Sequence, residues 1–143
     1  PYVGRGAASA DFFNDGKMDL LVSVIDGAPV LFRNQSAGSG HWIRIKTIGV
    51  HSNRNGFGAR IQVRSGDRTQ SAEVRANSSF ESASDSRLQF GLGPTARVDS
   101  ITIRWPSGTV DRLGGQQADQ EIVVKEGQGL VFQAVRPDSS KRN

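Results

Sequence analysis

Ala59-Arg60-Ile61-Gln62-Val63-Arg64-Ser65-Gly66-Asp67-Arg68-Thr69-Gln70-Ser71-Ala72-Glu73-Val74-Arg75 is the stretch on which the fold turns. Ala59, Ile61 and Val63 alternate with Arg60, Gln62 and Arg64, the period of two that places successive side chains on opposite faces of a strand. Ser65-Gly66-Asp67 carries turn-forming residues. Residues 69–75 can then return antiparallel with Ala72 and Val74 turned inward. The expected product is a half-buried hairpin with one apolar face and one polar, basic face.

The same pattern continues in both directions. Ile43 and Ile45 alternate with Arg44 and Lys46, and Leu88, Phe90 and Leu92 form another alternating set. Val98, Ile101, Ile103 and Trp105 are expected on one further strand, and residues 110–113, 122–124 and 130–135 complete the series. Upstream, residues 20–25 form an apolar run broken by Ser23, expected as a buried strand. The turn pair Asp26-Gly27 then joins it to residues 29–32 as a hairpin. No window of eleven or more residues carries an apolar stripe at helical spacing. Short strands bounded by Gly, Asn, Asp and Ser predict an all-β fold: an antiparallel β-sandwich or barrel-like domain preceded by an N-terminal β-hairpin. Gln35-Ser36-Ala37-Gly38-Ser39-Gly40 has linker composition. The expected division is therefore 1–34, a linker at 35–40, a β domain at 41–136 and a disordered polar tail at 137–143.

The 143 residues suffice for one domain with a real core. Eighteen Lys and Arg against 14 Asp and Glu give a net charge of +4. The charge is uneven, since residues 1–40 hold three bases and four acids, net −1, and the remainder is net +5. There is no cysteine, which excludes disulfides, thiol catalysis and cysteine-ligated zinc. No apolar run is long enough to span a bilayer as a helix. The arginines stand singly along the chain without interleaved aromatics, which argues against nucleic acid as a partner.

Catalytic signatures are missing. The histidines, His41 and His51, fall at loop-like strand ends, where an exposed histidine is expected rather than a general base. No phosphate-binding Walker loop, paired-histidine metal motif or Gly-x-Ser-x-Gly elbow occurs, so no enzyme is expected. Gly56-x-Gly58 lacks the third glycine and the helix of a dinucleotide site and is expected to supply positive φ at a tight turn. Trp105 is expected in the core, and Pro106-Ser107-Gly108 as a turn. The outward basic residues Arg44, Lys46, Arg60, Arg64 and Arg104 make a candidate binding surface.

Two segments carry a family likeness. Asp11-Phe12-Phe13-Asn14-Asp15-Gly16-Lys17-Met18-Asp19 places carboxylates at relative positions 1, 5 and 9 with glycine at 6, the oxygen-rich tight loop that calcium favours. It leads directly into Leu20-Leu21-Val22 and resembles the FG-GAP or VCBS repeat of integrin-type β-propellers. The resemblance implies Asp11, Asp15 and Asp19 as calcium ligands. Phe13 departs from it, standing where that repeat has an oxygen ligand.

The second segment runs through Gly56-Phe57-Gly58-Ala59-Arg60, Phe90-Gly91-Leu92-Gly93 and Trp105-Pro106-Ser107-Gly108 in order. It resembles the ASPIC/UnbV domain of the cartilage acidic protein-like family, which follows FG-GAP repeats in exported proteins. Asn77-Ser78-Ser79-Phe80-Glu81-Ser82-Ala83 departs from that pattern by lacking a glycine and a glutamine, and the basic charge departs from the acidic namesake. The resemblance implies the C-terminal part of a larger, propeller-containing extracytoplasmic protein (secreted, periplasmic or cell surface). It implies a non-catalytic binding or structural module with a protein or cell-surface partner and no defined activity. Two alternatives stand beside it. One is a carbohydrate-recognition domain stacking sugars on Trp42, Trp105 or Phe80, and the other is an accessory domain of an exported enzyme.

Overall fold

The computed structural model describes residues 3–36, 40–76, 79 and 82–135. Phe80, the middle of the expected linker and the expected tail lie outside the described residues. The chain divides into two compact units, Pro1–Gly38 with Arg75–Ser86, and Ser39–Val74 with Arg87–Asn143.

The first unit is a three-stranded antiparallel sheet of β1 (Gly4–Ala10), β2 (Asp19–Val24) and β3 (Val30–Phe32), ordered β1-β2-β3. The expected hairpin is β2-β3, turned at Asp26, whose φ of 57° is the left-handed conformation that Asp tolerates. β1 is an addition to the expectation. Its sequence, Gly-Arg-Gly-Ala-Ala-Ser-Ala, holds no large apolar side chain, so it shows no period. The expected burial of residues 20–25 does not hold, because Leu20 and Ile25 are exposed, as are Leu31 and Phe32. The register explains this. Leu20 pairs with Phe32 and Val22 with Val30 on one face, while Leu21 pairs with Leu31 on the other. Both faces are apolar, and among the described residues no fully buried apolar side chain lies in this unit. Along the free edge of β1, the Ala7 and Ser9 N–H groups donate to the Ser79 and Ser84 hydroxyls at 3.2 and 3.1 Å. The Asp85 N–H donates to the Ser9 carbonyl at 3.1 Å. Ser79, Ser84 and Asp85 thus occupy backbone groups that an open strand edge would leave unpaired.

The second unit holds β4 (His41–Ile48), β5 (Arg60–Ser65), β6 (Arg68–Glu73), β7 (Leu88–Gly93), β8 (Arg97–Val98), β9 (Ser100–Arg104), β10 (Val110–Leu113), β11 (Gln116–Gln117), β12 (Gln120–Lys125) and β13 (Gly129–Val135). Two four-stranded sheets, β10-β9-β5-β6 and β13-β12-β4-β7, face each other, with a small β11-β8 pair beside them. Ile61, Val63, Ile101 and Ile103 from the first sheet meet Ile43, Ile45, Phe90, Leu92, Ile122 and Val124 from the second, and all are buried in one core. No sheet closes on itself, so the architecture is a sandwich. Each fully buried Ile or Leu adds on the order of 2 kcal/mol of apolar burial.

Two features differ from expectation. β12 runs parallel to β4, from Gln120 opposite Ile43 to Lys125 opposite Ile48. A parallel pair needs a long crossover, and here the crossover contains the whole opposing sheet. The chain re-enters at the β4 start because Asp119, at φ 59°, donates its N–H to the Trp42 carbonyl at 2.6 Å. Second, residues 98–105 form not one strand but two in different sheets. Asp99 breaks them, its N–H held by the Arg64 carbonyl at 2.8 Å and its carboxylate accepting the Gly66 N–H at 2.7 Å.

Candidate functional site

Gly56, Gly58 and Trp105 meet at one end of the sandwich, beside Thr47 at the end of β4, whereas Gly91 and Gly93 pair with Trp42 and His41 at its start. Gly56 and Gly58 have φ of 71° and 88°, as a tight turn requires. A Cβ on Gly56 would lie 2.5 Å from Thr47 Oγ1 and 3.1 Å from the Trp105 ring, so backbone packs directly on the indole. Trp105 is 4% exposed and joins the core, as expected. Its Nε1–H donates to Asp111 Oδ2 at 2.7 Å, and the same oxygen accepts the Gly127 N–H at 2.9 Å. The turn at 105–108 is closed by the Gly108 N–H on the Trp105 carbonyl at 3.0 Å.

Glu126, which the sequence did not single out, fastens this end together. It sits in the β12–β13 turn, 2% exposed. Its Oε2 accepts the consecutive N–H groups of Val50, His51 and Ser52 at 2.7, 2.8 and 2.8 Å. Its Oε1 accepts the hydroxyls of Ser52, at 2.9 Å, and Ser107. Burial alone would raise its pKa. The hydrogen bonds from the Ser107 hydroxyl, the Ser52 and Val50 amides and the Ser52 hydroxyl outweigh burial and hold the carboxyl down to about 2, against an ordinary 4.5. The only sequence signal is an acid beside Gly127 after an apolar run, and many surface turns share it.

The three N-terminal acids come together as loop fasteners. Asp11 is buried, and its two oxygens accept the Asp15 and Gly16 N–H groups at 2.9 and 2.8 Å. Asp19, also buried, accepts the Phe12 N–H at 3.1 Å and the Asn34 N–H at 2.8 Å. Asp15 accepts the Lys17 N–H at 3.0 Å and faces Arg33 at 3.8 Å. Phe13 lies under the Arg33 guanidinium, 4.3 Å from its centre. In this arrangement each of the three acids accepts at least one backbone N–H group. Among the described residues no group of three or more His, Cys, Asp or Glu side chains is placed to hold a metal ion.

The five expected basic residues do not form one stripe. Arg44 and Lys46 lie on β4, whereas Arg60, Arg64 and Arg104 lie on the opposing sheet. Arg44 must be removed from the surface altogether, because it is 4% exposed. Its Nε and Nη2 donate to Gln89 Oε1 at 3.1 and 2.7 Å, Glu121 lies at 3.8 Å, and its guanidinium stacks 5.1 Å from the Trp42 ring centre. A buried guanidinium needs such partners. Lys46, Arg60, Arg64 and Arg104 are exposed.

Of the proposed sugar-stacking rings, Trp105 is buried, and half-buried Trp42 has Arg44 stacked on it. His41 Nδ1 lies 2.6 Å from Asp119 Oδ2, and among the described residues its other ring nitrogen meets no hydroxyl. His51 is exposed and uses its backbone N–H, not its ring, on Glu126.

No curated protein matches the chain. The family described as ASPIC and UnbV matches residues 49–131, more than half of it. That span contains both motif loops, Trp105, Asp111 and the Glu126 turn. The chain belongs to the ASPIC and UnbV family.

Proposed function

We propose that this chain is a non-catalytic, extracytoplasmic binding and structural module, the C-terminal part of a larger propeller-containing protein, which meets a protein or cell-surface partner through one sheet face. The observation that carries this is the division of labour among its polar residues. The motif loops, Trp105, Asp111 and Glu126 are all occupied in holding one another. The outer face of the β10-β9-β5-β6 sheet instead presents exposed arginines. The first unit supports the propeller reading, since a short antiparallel sheet apolar on both faces suits a place between neighbouring sheets. Asp11, Asp15 and Asp19 act in this reading as fasteners of the β1–β2 loop, accepting five backbone N–H groups between them.

The test is binding of the fluorescently labelled chain to intact cells and to extracellular matrix, comparing the parent with R60E/R104E. Loss of binding in the variant is expected. Equal binding would refute the sheet face as the functional surface.

A further inference from the structure

Resting on that reading of the sheet face, we infer that its partner is an anionic polysaccharide, lying across the strands on a patch built from Arg60, Arg64, Arg104 and Arg112. The strand register places them. Arg60 stands directly opposite Arg104, Arg112 lies one row along opposite Thr102, and Arg64 lies in the third row opposite Ser100. With strands about 4.8 Å apart and residue pairs about 6.8 Å apart along a strand, the four Cα atoms fall within about 14 by 10 Å.

Three observations favour a polyanion. Like charges placed opposite one another on an antiparallel pair destabilise the pair, so folding alone does not account for Arg60 beside Arg104. Glu73 lies 3.5 Å from Arg60, and Arg60 still stays 76% exposed. Arg64, Arg104 and Arg112 have no acidic partner among the described residues. Finally, every cation on this face is an arginine, whereas β4 and β12 of the other sheet carry Lys46 and Lys125. Guanidinium groups grip carboxylate and sulfate with two parallel N–H bonds, which ammonium groups cannot do.

Between the arginines stand Thr102 and Gln62, with Ser71 beside Gln62 on β6, hydrogen-bonding groups suited to sugar hydroxyls. These rows hold no aromatic ring, so the base stacking that single-stranded nucleic acid uses is not offered. Asp67 and Asp99 lie at the turn end beyond Arg64. The strongest positive field is therefore at Arg104 and Arg112.

The experiment measures binding of the whole chain to heparin and to alginate, a sulfated and a carboxylated polysaccharide, at about 0.15 M salt. R104Q/R112Q is compared with K46Q/K125Q, which removes the same charge from the other sheet. Tryptophan fluorescence confirms that both variants are folded. R104Q/R112Q is expected to weaken binding to at least one polysaccharide by about tenfold, and K46Q/K125Q by less than about twofold. Equal weakening by the two variants would reduce the effect to bulk charge and overturn the proposal. So would an absence of binding to both polysaccharides, or tighter binding to a DNA duplex at the same salt. If R60E/R104E abolishes cell binding while neither polysaccharide binds, the partner is a protein: the polysaccharide is refuted and the sheet face stands. If the arginine variants change neither assay, both fall.

Discussion

Replacing Glu126 is the sharpest perturbation of the Trp105 end of the sandwich. Glu126→Ala removes the acceptor of three backbone N–H groups and two hydroxyls at once. The hydroxyls can rotate to other acceptors, but the amides of Val50, His51 and Ser52 are fixed by the loop. At roughly 1–3 kcal/mol per stranded donor, partly relieved by water entering the space, the expected loss is about 3–5 kcal/mol. Glu126→Gln keeps one acceptor oxygen for the three amides and loses the charge, at about 1–2 kcal/mol. The two variants also differ from the parent in pH dependence. The folded carboxyl titrates at about 2, below its ordinary 4.5, so its contribution is fully present above about 4.5 and is lost as pH falls toward 2. Through that window the parent should lose up to about 1.4 kcal/mol per pH unit from this group, whereas Glu126→Gln has no such slope. Urea unfolding followed by tryptophan fluorescence reads the sandwich alone, because Trp42 and Trp105 both lie in it. The gap between parent and Glu126→Gln should shrink between about pH 7 and about pH 3. A gap that stays constant, or a Glu126→Ala loss below about 1 kcal/mol, would refute the fastening role.

Gly56→Ala should cost about 2–4 kcal/mol by urea unfolding, since its φ is 71° and its Cβ would lie 2.5 Å from Thr47 Oγ1. Gly66→Ala, at φ 57° with nothing within 4 Å, should cost only about 1 kcal/mol. Asp19→Ala strands the Phe12 and Asn34 amides, so limited proteolysis should cut the β1–β2 loop several-fold faster while tryptophan-detected unfolding of the sandwich stays unchanged. Millimolar calcium should leave amide exchange at Asp15 and Gly16 unaltered. Faster exchange there with added calcium would show Asp11 leaving the backbone for a metal.

Much of the sandwich was legible because its strands are half-buried. The alternation at 59–64, the turn at Gly66 and the apolar positions 43, 45, 61, 63, 101, 103, 122 and 124 all appear where the pattern put them. What escaped has identifiable causes. β1 is built of Gly, Ala and Ser, which have no pattern to show. The parallel pairing of β12 with β4 depends on which end the chain re-enters, and the contact made there, from Asp119 to Trp42, joins residues far apart in sequence. The bonds of the Ser79 and Ser84 hydroxyls to the edge of β1 are announced by no spacing rule. Glu126 was hidden because its partners are backbone amides 74 to 76 residues away.

The two errors over burial have one physical origin. Alternation assigns a side chain to a face of a strand, but whether that face meets water depends on what else the chain lays over it. Arg44 sits on the polar face of β4, yet Gln89 from β7, Glu121 from β12 and the ring of Trp42 close around it, and a charge expected in water becomes a fully partnered buried one. Leu20, Leu31 and Phe32 show the converse, exposed apolar positions on a sheet that has no second sheet over it among the described residues of its own unit. The arginines of β5, β9 and β10 fall into neither class. Their face is polar by alternation and exposed in fact, and among the described residues only Arg60 of these four has an acid paired with it. Removal of Arg44 from the original set of five therefore strengthens the case for the remaining surface. A guanidinium that folding needs is closed in by partners, as Arg44 is, while Arg64, Arg104 and Arg112 hold their charges in water where an outside anion can reach them.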